Sequence, residues 1–153
     1  MIAEAVEAPV IRQAMTEDAA DVLALLRRLV TTSHYTQGVA FNEDHVAGVV
    51  AGLLADPSAA IVVAGEGGTL IGVIGLKQYD DLISGESLAA QIFWYVEPSH
   101  RHGVGVTLLS TAEEWAASRG VQRIQMMEAE PKFASLYMRR GYAPGPRVWE
   151  RSL

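Results

Sequence analysis

A backbone that reads Trp94-Tyr95-Val96-Glu97-Pro98-Ser99-His100-Arg101-His102-Gly103-Val104-Gly105-Val106-Thr107-Leu108-Leu109 has few folds open to it. It is an apolar strand, a proline stop, a short basic turn, two glycines one residue apart, and a helix. A chain that passes through Gly-Val-Gly straight into a helix leaves several N–H groups without helical acceptors, all pointing one way. Those donors, with the positive end of the helix dipole, make a site for an anion, most often a phosphate. Gly103 and Gly105 remove the side chains that would hold a ligand off the backbone. Arg101 and His102 add positive charge at the same end.

The flanking chain supplies the rest of an α/β or α+β domain with a mixed sheet. Residues 1–9 read as a loose leader closed by Pro9, and 10–153 as a single domain. A strand is expected over 10–14. Thr16 is then placed as the N-cap of a helix running to about residue 30, with Val22, Leu25, Leu26 and Leu29 on one face. The stretch 31–40 has no period and reads as a loop. Asn42 caps a second helix, which Asp56-Pro57 stops. Residues 59–64 and 70–76 form a hairpin around Glu66-Gly67-Gly68, and 88–96 is the next strand. After the glycine turn a helix runs to Gly120, followed by a strand over 123–127 and a helix from Pro131 to Gly141. Tyr142 and residues 148–151 are expected as short strands around Pro144-Gly145-Pro146.

Composition narrows the function classes. With no cysteine, disulfides, thiolate catalysis and cysteine-ligated zinc are excluded. The four histidines form no metal pattern. A formal charge of −6 weighs against non-specific binding to nucleic acid or acidic membranes, whose phosphates demand a basic face. The first residues are acidic where a signal peptide is basic, and no apolar run is long enough to span a bilayer. A cytoplasmic protein is expected.

The glycine turn can be tested by spelling. A nucleoside-triphosphate loop needs G-x-x-x-x-G-K-[ST], and no such string occurs. A dinucleotide fingerprint needs a third glycine where Leu108 stands. A phosphate-bearing ligand held by backbone N–H groups and Arg101 remains.

Here the chain resembles the GNAT superfamily of acyl-CoA N-acyltransferases. That family's pyrophosphate motif runs V-x-P, Gln or Arg, two residues, G-x-G or G-x-A, then a leucine-rich helix. Val96-Glu97-Pro98, Gly103-Val104-Gly105 and Leu108-Leu109 match it. Downstream, Ala134-Ser135-Leu136-Tyr137-Met138-Arg139-Arg140-Gly141-Tyr142 is similar to the family's A-x-x-L-Y-x-x-x-G-[FY] segment. The chain departs from the pattern in two places. Counting back from Gly103, the Gln/Arg position is His100, with Arg101 one residue late, so either can meet the pyrophosphate. Pro131 stands where the family often has asparagine.

The resemblance implies a mostly antiparallel sheet of six to seven strands flanked by about four helices. It also implies acetyl-CoA as acyl donor, no metal, an amine acceptor on a small molecule or peptide, and a homodimer as a common assembly. Tyr95 and Val96 would offer main-chain donors to the pantetheine arm, and Arg101, His102, Gly103, Val104, Gly105, Val106 and Thr107 would cradle the pyrophosphate. Tyr137 takes the family's tyrosine position as general acid, since a phenol of pKa about 10 stays protonated at neutral pH. From spacing alone it reads as a core aromatic beside Phe133 and Leu136. Glu128 is the candidate base, with Glu130 and Glu97 as alternatives; each reads more readily as a solvated carboxylate, though one could relay a proton through water. His34, Tyr35 and Phe41, from the loop that usually borders the acceptor in this family, are the candidate substrate contacts.

Overall fold

The computed structural model describes residues 7–33 and 38–153. Among them, five strands form one sheet in the order β1-β2-β3-β4-β5: Val10–Gln13, Ala59–Glu66, Thr69–Asp80, Ser87–Val96 and Arg123–Gln125. The first four pair antiparallel, and β5 lies parallel to β4. Four helices flank the sheet: α1 Ala19–Thr32, α2 Glu43–Ala55, α3 Val104–Ser118 and α4 Phe133–Arg139. None is long and apolar enough to cross a membrane.

Both faces of the sheet are covered, so its central strands are apolar almost throughout instead of alternating. On one side, Val22, Leu25 and Leu26 of α1 and Val50 and Leu53 of α2 pack on Ile61, Val63, Val73, Phe93 and Tyr95. On the other, Leu108, Leu109, Ala112 and Ala116 of α3 pack on Val62, Ala64, Ile74, Leu76 and Val96. Successive residues of β2 thus serve opposite layers, as the period of a strand requires.

Several expected boundaries move. The strand expected over 70–76 extends to Asp80, because Lys77, Gln78, Tyr79 and Asp80 continue the ladder with β4 up to Asp80↔Ser87. Thr16 does not cap α1. A short turn, Thr16–Asp18, precedes the helix, and the Asp18 carboxylate accepts from the Met15 N–H at 2.7 Å while pairing with Arg12 at 2.6 Å. That pair depresses the Asp18 carboxyl pKa, chiefly through the Arg12 hydrogen bonds.

Among the described residues the sheet has five strands, not six to seven. The strands expected at Tyr142 and 148–151 are absent: residues 142–153 carry no regular structure, and Trp149 is 86% exposed. Pro144 and Pro146 have no N–H to give a ladder and disfavour regular pairing.

A close approach inside the sheet shapes its central strands. Between Gly75 and Leu76 the β3–β4 register slips, so Phe93 faces Gly75, Gln91 faces Leu76, and Ile92 is the extra residue of a bulge. The Phe93 ring lies over Gly75; a Cβ there would stand 2.6 Å from the Phe93 Cζ. Gly75→Ala is therefore expected to cost about 1–3 kcal/mol through overpacking, read from a denaturant midpoint.

Candidate active site

The bulge at Ile92 marks where the sheet opens. β4 and β5 pair only through Leu88↔Arg123, Ala89↔Ile124 and Ala90↔Gln125, and then part into a wedge. Two side chains replace the lost ladder. Gln91 Oε1 accepts the Met127 N–H at 3.0 Å, and the Tyr137 hydroxyl donates to the Met127 carbonyl at 2.8 Å. The strand expected over 123–127 therefore ends at Gln125.

Beyond the opening, one edge of β4 has no strand beside it. The Glu97 N–H donates to Ile71 of β3 at 2.8 Å. Main-chain direction alternates along a strand, so the Tyr95 N–H also faces β3, while those of Trp94 and Val96 face the wedge. The expectation placed these donors at Tyr95 and Val96; alternation assigns them to Trp94 and Val96.

The wedge contains a cavity of about 310 Å³. Its floor is β4 from Trp94 to Val96, and its far wall is Ala129, Glu130, Lys132, Phe133 and Leu136. Leu29, Thr32 and Ser33, at the end of α1, close one side. The Trp94 and Phe133 rings meet at 5.5 Å, tying α4 to β4 across it.

At its outer end stands the glycine turn. Gly103 has φ +88°, a left-handed conformation that favours glycine, and there α3 begins. The first helical bond runs from the Thr107 N–H to the Gly103 carbonyl at 3.1 Å, so the N–H groups of Val104, Gly105 and Val106 have no helical acceptor. Arg101 lines the cavity, held by its Nε donating to the Val96 carbonyl at 2.9 Å and by the Tyr95 ring 5.8 Å away. His100 turns instead toward Glu66, 3.5 Å away, and the Ser99 hydroxyl. Of the two cations the sequence left open, Arg101 is the one in the cavity.

Among the expected cofactor contacts, Tyr95, Val96, Arg101, Gly103, Gly105 and Val106 come together on the cavity. His102 is exposed outside its lining, the Val104 side chain is buried in the core, and the Thr107 hydroxyl returns to the Gly103 carbonyl. The Tyr137 ring is buried behind Trp94, Phe133 and Tyr142. Burial, and secondarily the negative charge of Glu128, push its phenol up to about 12. Glu128 itself is exposed outside the cavity lining; the carboxylate that lines the cavity is Glu130, paired with Lys132 at 3.1 Å. Glu97 is engaged by Arg28 of α1 and by the Tyr95 hydroxyl. Phe41 packs, half-buried, in the α1–α2 layer beneath the Arg27 guanidinium and is not among the residues lining the cavity. His34 and Tyr35 lie outside the described residues. Sequence reasoning missed Leu29, Trp94 and Phe133 as cavity walls, because apolar residues at helical or strand spacing carry no sign of which face meets a ligand.

A splayed pair of parallel strands, opening onto a glycine turn at a helix N-terminus, decides the relationship. A model of the acetyltransferase (GNAT) family matches residues 20–142. The chain belongs to this family.

Its relatives agree on the fold. An aminoglycoside N(6')-acetyltransferase type 1 from Klebsiella aerogenes is 29% identical over 115 residues, 73% of each chain. A transcriptional regulator from Bacillus halodurans C-125 superposes with a TM-score of 0.78 at 18% identity, over 95% of this chain and 99% of the other. The structure of AAC(6')-Iy in complex with a CoA-containing bisubstrate analogue gives 0.75 at 18% identity, over 96% and 99%. At such identities structural likeness establishes the GNAT architecture alone.

The GNAT chain has a further, half-buried polar network. Arg140 pairs with Glu113 and donates to the Ser110 hydroxyl at 2.9 Å, and the Tyr142 hydroxyl donates to Glu113 at 2.9 Å. These bonds tie the end of α4 to α3. Arg140, at the C-terminal end of α4, complements the helix dipole, and its Glu113 pair is the stronger interaction.

Proposed function

We propose that the protein transfers an acetyl group from acetyl-CoA directly to a primary amine of a small molecule or peptide. The observation that carries this reading is the open β4 edge that ends at Arg101 and the glycine turn. It is the donor set for an elongated ligand with amides along its length and a pyrophosphate at one end. The cavity volume, about 310 Å³, is that of a small-molecule site. The aminoglycoside acetyltransferase relatives support a small-molecule amine as acceptor.

The thioester supplies an activated acyl carbonyl when bound; the residues supply position and protons. Arg101 and the N–H groups of Val104, Gly105 and Val106 hold the pyrophosphate. The Val96 and Trp94 N–H groups meet carbonyl oxygens along the wedge, with Trp94 nearer the inner end, where negative charge develops on the acyl oxygen. The amine nitrogen forms the new C–N bond and loses one proton; the C–S bond breaks, and the thiolate gains one. Tyr137 is the proton donor, with its hydroxyl parked on Met127 at the inner end of the wedge. With no cysteine in the chain, no acyl-cysteine can intervene.

For the amine proton, Glu130 is the better-placed acceptor and Glu128 the alternative at the rim, each acting through water. Glu130→Gln is expected to lower kcat/KM about tenfold, and Glu128→Gln less than about twofold. The reverse order returns the role to Glu128.

Titration calorimetry tests the whole reading. Acetyl-CoA and CoA are expected to bind, and ATP not. ATP binding without acetyl-CoA binding replaces the proposal with a nucleotide-binding domain. Acetyl-CoA binding with no thiol release across a broad amine panel makes the protein a non-catalytic acyl-CoA module.

A further inference from the structure

A second, smaller chamber of about 110 Å³ continues the wedge inward. It shares Leu29, Ser33, Trp94 and Ala129 with the larger cavity and adds Gln91, Ile92, Phe93 and Met127. It lies at the bulge, beyond the point where β4 and β5 separate. From Val96 to Ile92 the strand advances roughly 13 Å, at about 3.3 Å per residue. A pantetheine arm that begins at Arg101 and extends along β4 brings its sulfur to this chamber.

We infer that the inner chamber is an acyl pocket for chains longer than acetyl, with Ile92, Met127 and Ala129 setting the length. This rests on the acyl-CoA reading of the wedge. The walls favour an acyl tail over the acceptor amine. Among the described residues that line the chamber none is charged, and the one amide, Gln91, already accepts the Met127 N–H. An ammonium group placed there would lose its hydration with no carboxylate to replace it. Methylenes lose nothing polar and gain burial. A chamber of about 110 Å³ holds three to four methyl-sized groups, if each takes roughly the 30 Å³ of a water. That is the volume of a propionyl or butyryl chain, with space left over an acetyl.

The test is calorimetry of the full chain with CoA, acetyl-, propionyl-, butyryl- and octanoyl-CoA, which needs no knowledge of the acceptor. Affinity is expected to rise about fourfold per methylene up to butyryl, then fall at octanoyl. Ala129→Leu, which adds three carbons to a wall of the chamber at an exposed position, is expected to bring the butyryl-to-acetyl affinity ratio down to about one. Met127→Ala is expected to move the optimum to a longer chain. Acetyl-CoA that binds as tightly as butyryl-CoA or more tightly overturns the inference and leaves the acetyltransferase reading standing. A butyryl preference that ignores both substitutions also overturns it. Failure of every acyl-CoA to bind overturns the underlying reading instead.

Discussion

Tyr137→Phe is expected to lower kcat about a hundredfold while leaving the acetyl-CoA dissociation constant within about twofold of wild type. The substitution deletes one oxygen from a ring that is 8% exposed and packed by Trp94, Phe133 and Tyr142, so the ring's packing survives. What goes is the proposed proton donor and its bond to the Met127 carbonyl. Burial holds the phenol protonated up to about 12, so in the proposed mechanism Tyr137 starts each turnover at neutral pH in its acidic form. A free thiol has a pKa near 8.5, which makes the transfer to thiolate uphill in water. In the same dry wedge the thiolate is also destabilised, and the two acidities approach each other.

Two readouts separate this role from a positioning one. A general acid matters more as the leaving thiolate becomes more basic, so an acyl donor with a more acidic thiol should recover part of the lost rate. A Tyr137 that merely anchors Met127 would, when changed, weaken acetyl-CoA binding and slow all donors alike. Wild-type turnover in the variant removes Tyr137 from the mechanism. The raised pKa also has a stability consequence. Its folded-state contribution is fully present below the ordinary phenol value of 10.0 and is lost as pH rises through about 12.

The anion end of the site is legible in the sequence because it is built from neighbours. Val96, Arg101, Gly103 and Gly105 lie within ten residues, and backbone geometry alone brings their polar groups together. The wedge is not legible in that way. Met126 and Met127 are apolar and follow β5 directly, and nothing local says that the ladder ends at Gln125. It ends because Gln91 and Tyr137, from two other elements, take the Met127 main chain. The same distance in sequence hides the partner of His100, which is Glu66 on β2, and so leaves His100 and Arg101 indistinguishable until the fold separates them. For Phe41 the loop position suggests a ligand contact, while the packing that sequence could not show sets it against the α1–α2 layer. At the C-terminus the pattern of residues 148–151 suits a strand, yet pairing is a property of two segments, and the sheet stops at β5.

The sharpest separation of binding from stability is expected at Gly105. Gly105→Val should weaken acetyl-CoA binding by roughly ten- to a hundredfold, the worth of one or two lost hydrogen bonds to a charged group. The folded protein has room for a Cβ at this position. A Cβ at Gly105 meets Trp94 at 3.5 Å and Val96 at 3.7 Å, which is ordinary contact. The position is in the first turn of α3 with no positive φ, and valine forms helix at least as readily as glycine. The new methyls are added at a residue that lines the cavity, where the proposed pyrophosphate comes within hydrogen-bond distance of the main chain. Gly103 provides the contrast. A Cβ there would meet nothing within 4 Å, but φ is +88°, so Gly103→Val should cost about 1–2 kcal/mol of stability by strain. Thermal unfolding and calorimetry on the two variants read both effects. Equal losses of affinity with equal losses of stability would mean that the turn acts only as a scaffold. A Gly105→Val protein that keeps wild-type affinity would place the pyrophosphate elsewhere, and with it the outer end of the wedge.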